Sequence, residues 1–137
     1  MTDEHSLAIP IPKKLLEQFA GCFFDRKNHF LAAVRQFGSP LYVLEPEVLK
    51  IRADQFQNAF DAVFPHTGYY YAMKSNNLPY VSRILLEKGF GLDVSSGVEL
   101  QTALDLGAHD IVFSGPGKTD PELELAVVLG RRARAVS

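Results

Sequence analysis

Cysteine is nearly absent: Cys22 stands alone among 137 residues, which excludes an internal disulfide and a cysteine-built metal site. An excess of one charge is lacking too. The chain carries 14 Lys+Arg against 16 Asp+Glu, and no basic run exceeds the Arg131–Arg132 pair. The electrostatic footprint of a nucleic-acid binder is therefore missing. No apolar stretch approaches the roughly 18 residues of a membrane span. The opening Met1-Thr-Asp-Glu-His-Ser is acidic and has no basic-then-apolar leader, so a cytoplasmic protein is expected. The histidines, His5, His29, His66 and His109, show no ligand spacing, and no metal is expected. What is present, 47% hydrophobic and 22% charged residues, is the composition of a soluble globular domain.

Residues 1–36 read as a helical lead-in, with short helices expected over Lys13–Phe19 and Asn28–Gln36. Pro40 closes this stretch, and Leu41-Tyr-Val-Leu44 reads as a strand. From Pro46 the pattern becomes regular. Pro46 suits a first helical position, and Leu49, Phe56, Phe60, Val63 and Phe64 follow at helical spacing until Pro65 and Gly68. Tyr69–Met73 is a continuous apolar run, as in a strand buried on both faces. A helix over Leu78–Lys88, capped by Gly89, leads to a strand at Gly91–Val94. Ser96-x-x-Glu99 is a capping box opening a helix that ends at Gly107. Ile111–Phe113 is the next strand, Thr119-x-x-Glu122 opens the next helix, which ends near Gly130, and Arg134–Ser137 begins another strand.

Strand, helix and strand in repetition mean parallel β/α units. Two architectures fit. One is a doubly wound open sheet, which is complete at this length. The other is a (β/α)8 barrel, which takes roughly 250 residues. Both place function at the C-terminal ends of strands. The chemistry is therefore sought at Lys74, Asp93, Ser95–Ser96 and Ser114–Thr119. Lys74 leaves an apolar strand, and burial of its amine would favour the nucleophilic, uncharged form. Such a lysine suits a Schiff base with an aldehyde, for which pyridoxal phosphate is the usual partner. Asp93, at the end of the next strand, can tune or orient that amine, although on position alone capping of the coming helix or its loop explains it better. Glu99 is explained by the capping box, whose N–H groups remain available to a ligand. Ser114–Thr119 is not a nucleotide-binding loop, because Val112 stands where that motif requires glycine. Lys118 is expected to face solvent.

Four segments together resemble a known family: Phe37-Gly-Ser-Pro-Leu-Tyr-Val-Leu44, Tyr71-Ala-Met-Lys-Ser-Asn-Asn77, Gly91-Leu-Asp-Val-Ser-Ser-Gly-Val-Glu-Leu100 and Ile111-Val-Phe-Ser-Gly-Pro-Gly-Lys-Thr119. In order and spacing they are similar to the start of the fold-type III pyridoxal-phosphate decarboxylases, and most similar to diaminopimelate decarboxylases. The resemblance implies an α/β fold, the N-terminal portion of a (β/α)8 barrel of the alanine racemase-like type, with residues 37–137 as the pyridoxal-phosphate-binding part. It implies Lys74 and Asp93 as catalytic residues, and Lys74, Asp93, Ser96 and Ser114 as cofactor-binding residues. It further implies decarboxylation of a basic amino acid (diaminopimelate, lysine, ornithine or arginine) by a homodimer. Racemisation on a related barrel and a catalytically silent, partner-binding relative are the alternatives. Ser75, Ser95 and Val98 stand where diaminopimelate decarboxylases carry alanine, valine and glycine, which leaves the substrate open. Only part of a barrel's strands can be counted, so residues 1–137 alone are expected to fold poorly and to be inactive.

Overall fold

The computed structural model describes residues 11–64, 66–115, 117–129 and 135–136. The chain divides into two compact units, 1–44 and 45–137. In the first, helices α1 (Lys13–Phe24) and α2 (Lys27–Phe37) follow one another across a two-residue turn. Its turn is held by Arg26, whose Nε donates to the Cys22 carbonyl at 2.7 Å. The guanidinium lies 5.7 Å from the ring centres of both Phe23 and Phe30, a cation–π arrangement. Neither helix buries a residue. The expected strand at Leu41–Leu44 is not formed. The segment is irregular and has no ladder partner among the described residues, and Tyr42 stands fully exposed.

In the second unit, Pro46 opens α3 (Pro46–Asp61), as its fixed φ and missing N–H allow. The face it buries differs from the expected one. Ala53 is the buried residue and Leu49 packs beside it, whereas Phe56, Phe60 and Phe64 stay partly exposed. The rings instead build an aromatic cluster along the helix: Phe56 with Phe60 at 4.7 Å, and both with Tyr69. The helical spacing was legible, but apolar residues occupied more of the helix than one neighbour could cover. The stop expected at Pro65 lies outside the described residues.

Strand β1 (Tyr70–Ala72) passes through a 3₁₀ turn (Met73–Ser75) to α4 (Pro79–Glu87). Then follow β2 (Gly91–Val94), α5 (Gly97–Asp105), β3 (Ile111–Phe113), α6 (Asp120–Leu129) and β4 (Ala135–Val136). The strands form one parallel sheet in the order β1-β2-β3-β4, with Ala72 opposite Asp93, Asp93 opposite Val112, and Val112 opposite Ala135. Of the last expected strand, only Ala135 and Val136 lie within the described residues.

Alternation along the strands separates two faces. Leu92, Val94, Ile111 and Phe113 are fully buried against Leu100, Ala103, Ala108 and Ala126. Full burial of each such large side chain contributes about 1.5–3 kcal/mol. Tyr70, Ala72, Asp93 and Val112 alternate onto the other face, where burial is incomplete. A strand order that never reverses, with helices packed on one face, is the arrangement of a barrel wall; a doubly wound sheet reverses its order and covers both faces.

The strand expected over Tyr69–Met73 is shorter than the apolar run. Tyr70–Ala72 pair with β2 on one side only, so β1 is an edge among the described residues, half-exposed where burial on both faces was expected. Gly89 and Gly107 end α4 and α5 at φ +81° and +77°, the left-handed positions that glycine tolerates. No helix among the described residues is long and apolar enough to cross a membrane.

Candidate active site at the strand ends

The sequence places Lys74, Asp93, Ser96 and Ser114 at the C-terminal ends of successive strands, and the structure keeps them there. Two of them meet. The Ser114 hydroxyl donates to Asp93 Oδ1 at 2.5 Å, across the gap between β2 and β3. Asp93 belongs to the incompletely covered face of the sheet, and Ser114 directly follows Phe113. The Ser114 amide is fixed as well, donating to the Val94 carbonyl at 2.9 Å. A carboxylate and a hydroxyl are thus held in one orientation at the mouth of the sheet.

Lys74 lies in the 3₁₀ turn after β1, two residues beyond the Ala72–Asp93 register pair. Its backbone neighbours are well anchored: Met73 is buried, the Ser75 hydroxyl donates to the Ala72 carbonyl at 2.7 Å, and Asn76 Oδ1 accepts the Leu78 amide at 3.1 Å. The Lys74 side chain itself is exposed, and it enters no ion pair or hydrogen bond among the described residues. The burial expected of its amine is absent, because the apolar run ahead of it supplies only an edge strand.

Ser96 is the N-cap of α5. Its Oγ accepts the Glu99 amide at 3.3 Å, while Glu99 Oε2 accepts the Ser95 amide at 2.7 Å. The capping box is therefore real, displaced by one residue on its return arm. The α5 amides were expected to be open to a ligand. Two of the first-turn amides are taken: beside Glu99 N–H on Ser96, Gly97 N–H donates to Glu122 Oε1 at 2.6 Å. Lys118 does not face solvent freely either. Its Nζ donates to the Gly115 carbonyl at 2.9 Å and lies 5.5 Å from the centre of the Phe113 ring.

Sequence reasoning missed the reach of Glu122. As the capping partner of Thr119 it was legible, and Oε2 does accept the Thr119 amide and hydroxyl, each at 2.9 Å. Its second oxygen crosses to a different helix, 25 residues away in the chain. These contacts hold the Glu122 carboxyl below its ordinary value of 4.5: first the Thr119 amide, then the Gly97 amide and the Thr119 hydroxyl, against a smaller opposing effect of desolvation. A depressed carboxyl stabilises the fold fully above the unfolded value and loses that contribution as pH falls through the lower, folded value. The complete protein is therefore expected to lose stability below about pH 4.5 by an increment that Glu122→Gln does not show. Denaturant unfolding of both proteins between about pH 6 and pH 3 measures it, and parallel curves would contradict it.

This arrangement can be tested against pyridoxal phosphate. The aldehyde end asks for an accessible amine, and Lys74 provides one that is exposed and outside ion pairs among the described residues. A carboxylate fixed by a neighbouring hydroxyl is at hand in Asp93. The phosphate end asks for open backbone N–H groups at a helix start. At the start of α5, those of Ser95, Gly97 and Glu99 are engaged by the protein's own oxygens. The described residues fit the reactive end of the cofactor, with a phosphate site at neither Gly97 nor Thr119.

A parallel β/α sheet of barrel type, with a lysine and a carboxylate at adjoining strand ends, defines the class. The family follows from comparison. The model of the pyridoxal-dependent decarboxylase, pyridoxal binding domain, matches residues 49–135. The chain belongs to the pyridoxal-dependent decarboxylases, whose cofactor is pyridoxal phosphate and whose barrel is of the alanine racemase-like type. The expected kinship with the fold-type III enzymes is borne out. The chain is 38% identical over 95 residues to diaminopimelate decarboxylase of Bacillus methanolicus, covering 68% of this chain and 22% of that protein. It is 40% identical over 93 residues to diaminopimelate decarboxylase of Aquifex aeolicus, covering 66% and 21%. Lysine/ornithine decarboxylase from Vibrio vulnificus, solved with putrescine, superposes with a TM-score of 0.67 at 28% identity, over 75% of this chain and 28% of that chain. The chain thus spans about a fifth of the length of these two curated relatives.

Proposed function

We propose that the complete protein decarboxylates a basic amino acid, with Lys74 as the residue that holds the cofactor. The observation that carries this reading is the set of groups at neighbouring strand ends: an exposed Lys74 amine outside any ion pair among the described residues, and an Asp93 carboxylate fixed by Ser114. Lys74 would hold the aldehyde through Nζ, the nucleophilic atom of a lysine in its uncharged form. Asp93 would contribute negative charge that orients a cationic partner, and Ser114, by donating to Asp93, keeps that carboxylate from turning away. Ser96 accepts a bond from α5, so its own proton is left to give to the cofactor. Bound pyridoxal phosphate supplies the electron sink for the pair released when the α-carboxylate leaves as carbon dioxide.

Diaminopimelate decarboxylase and lysine/ornithine decarboxylase, the names of the relatives, support a substrate with a second, distal amine. Homodimeric assembly and a cytoplasmic location belong to the same proposal and rest on the family resemblance. The test is carbon dioxide release by the complete protein from diaminopimelate, lysine, ornithine and arginine, with borohydride trapping of the cofactor and peptide mass spectrometry. Release from at least one of the four, with the trapped label on Lys74, is expected. A label on another lysine would overturn the Lys74 assignment, and label without release would favour a silent, ligand-binding relative.

A further inference from the structure

Two loops leave the sheet next to one another: 95–96 after β2 and 114–119 after β3. They are linked at both ends. At the strand ends the Ser114 hydroxyl joins Asp93 at 2.5 Å. At the helix starts the Glu122 carboxylate joins Gly97 N–H at 2.6 Å to the Thr119 amide and hydroxyl at 2.9 Å. Between these links the backbones run close: a Cβ at Gly115, where φ is +107°, would lie 3.5 Å from the Ser95 carbonyl oxygen.

Gly97 is fitted to this arrangement. A Cβ there would lie 3.0 Å from Glu122 Cγ and 3.2 Å from Oε1, so a carboxylate approaches this closely because the position is glycine. Both helix starts carry partial positive charge, and one carboxylate answers both. A circuit of contacts results, with Asp93 on Ser114 at the strand ends and Gly97 on Glu122 on Thr119 at the helix starts. Opening it at Glu122 leaves the Asp93–Ser114 pair held at the strand ends alone, by its own bond and by the Ser114 amide on the Val94 carbonyl, without the tie at the helix starts.

We propose that Glu122 is a positioning residue, which ties the starts of α5 and α6 together and thereby fixes the Asp93–Ser114 pair at the strand ends. The tie stands on the geometry alone; its consequence for turnover rests on the proposed function. Glu122 touches no reacting atom in this scheme. Its lowered pKa agrees with a carboxylate that works in its charged form.

The test uses the complete protein and two variants that open the circuit from opposite sides. Glu122→Gln retains one carbonyl acceptor where the carboxylate offers two oxygens. Gly97→Ala keeps the carboxylate and displaces it. Amide hydrogen exchange at Gly97, Thr119 and Ser114 is expected to quicken about tenfold in both variants, with exchange in β2 and β3 little changed. A kcat loss of roughly tenfold with KM within about twofold is expected, as is a weakened visible circular-dichroism band of the bound cofactor. The double variant is expected to be no worse than the worse single one, because both break the same link. Unchanged exchange at Ser114 would overturn the tie. Faster exchange with unaltered kcat and circular-dichroism band would overturn the positioning role and leave a merely structural clamp. A wild-type protein that takes up no pyridoxal phosphate would overturn the reading of the site, and with it the consequence for turnover, while the exchange arm still decides the tie.

Discussion

Lys74→Ala is expected to reduce carbon dioxide release by the complete protein at least roughly a thousandfold, the scale on which removal of a covalent catalytic group acts. The fold should hardly notice. The side chain is exposed and outside the ion pairs among the described residues, so a change in stability within about 0.5 kcal/mol is expected. The other lysine of these loops is no substitute. Lys118 is committed to the Gly115 carbonyl and the Phe113 ring, on the far side of β2 from Lys74 in strand order. Asp93→Asn is the informative contrast. The amide still offers an oxygen to the Ser114 hydroxyl, so the local geometry survives while the charge is lost. A fall in kcat of roughly tenfold to a hundredfold is expected there, with a melting temperature within a few degrees of wild type. Thermal melts and kcat/KM on the two variants and wild type decide both points. Lys74→Ala with turnover near wild type would remove the lysine from the chemistry. A melt shift in Asp93→Asn large enough to account for its lost activity would reduce Asp93 to a structural role.

What the sequence made legible divides by range. The capping pairs Ser96–Glu99 and Thr119–Glu122 span one helical turn, so their spacing alone announces them. The parallel order of β2 and β3 follows from strand and helix alternation. The Ser114–Asp93 bond joins residues 21 positions apart, yet both were already identified as strand-end groups, and adjacent parallel strands bring such groups together. Glu122 was read as a cap and its second oxygen was not, because no local pattern points 25 residues back to Gly97. The one available signal was Gly97 itself, a glycine at the first position of a helix, where propensity gives it no reason to be. Burial was the poorest reading. Tyr69–Met73 is apolar throughout, but hydrophobicity of a run does not reveal whether a second strand lies beside it, and β1 pairs on one side. Leu41–Leu44 failed as a strand for the same reason: β-propensity describes a residue, whereas a strand requires a partner ladder. Lys118 was misplaced because its long stem lets Nζ reach back to the Gly115 carbonyl and the Phe113 ring, contacts that no local pattern announces.

The largest expected loss of stability belongs to a residue outside the site, Gly91→Ala. Gly91 begins β2 opposite Tyr70, and its amide donates to the Tyr69 carbonyl at 2.8 Å. The Tyr70 ring lies against it and reaches on to Asp110, its hydroxyl donating to Oδ2 at 2.8 Å. A Cβ on Gly91 would sit 2.6 Å from Tyr70 Cδ1 and Cε1 and 2.8 Å from the Asp110 carbonyl oxygen. The ring can swing away at the expense of its hydrogen bond. The carbonyl cannot, since it also accepts the Leu92 amide at 3.0 Å and so belongs to the ladder between β2 and the start of β3. Overpacking of this kind costs about 1–3 kcal/mol, and displacement of a ladder carbonyl puts Gly91→Ala near the upper end. Denaturant unfolding of the complete protein is expected to show about 3 kcal/mol of destabilisation. The two clashes can be separated by removing the ring. If the ring alone resisted the methyl group, Tyr70→Ala/Gly91→Ala would be no less stable than Tyr70→Ala. The carbonyl contact predicts instead that about half or more of the Gly91→Ala loss persists in the double variant, because its cause is backbone and no side-chain deletion relieves it.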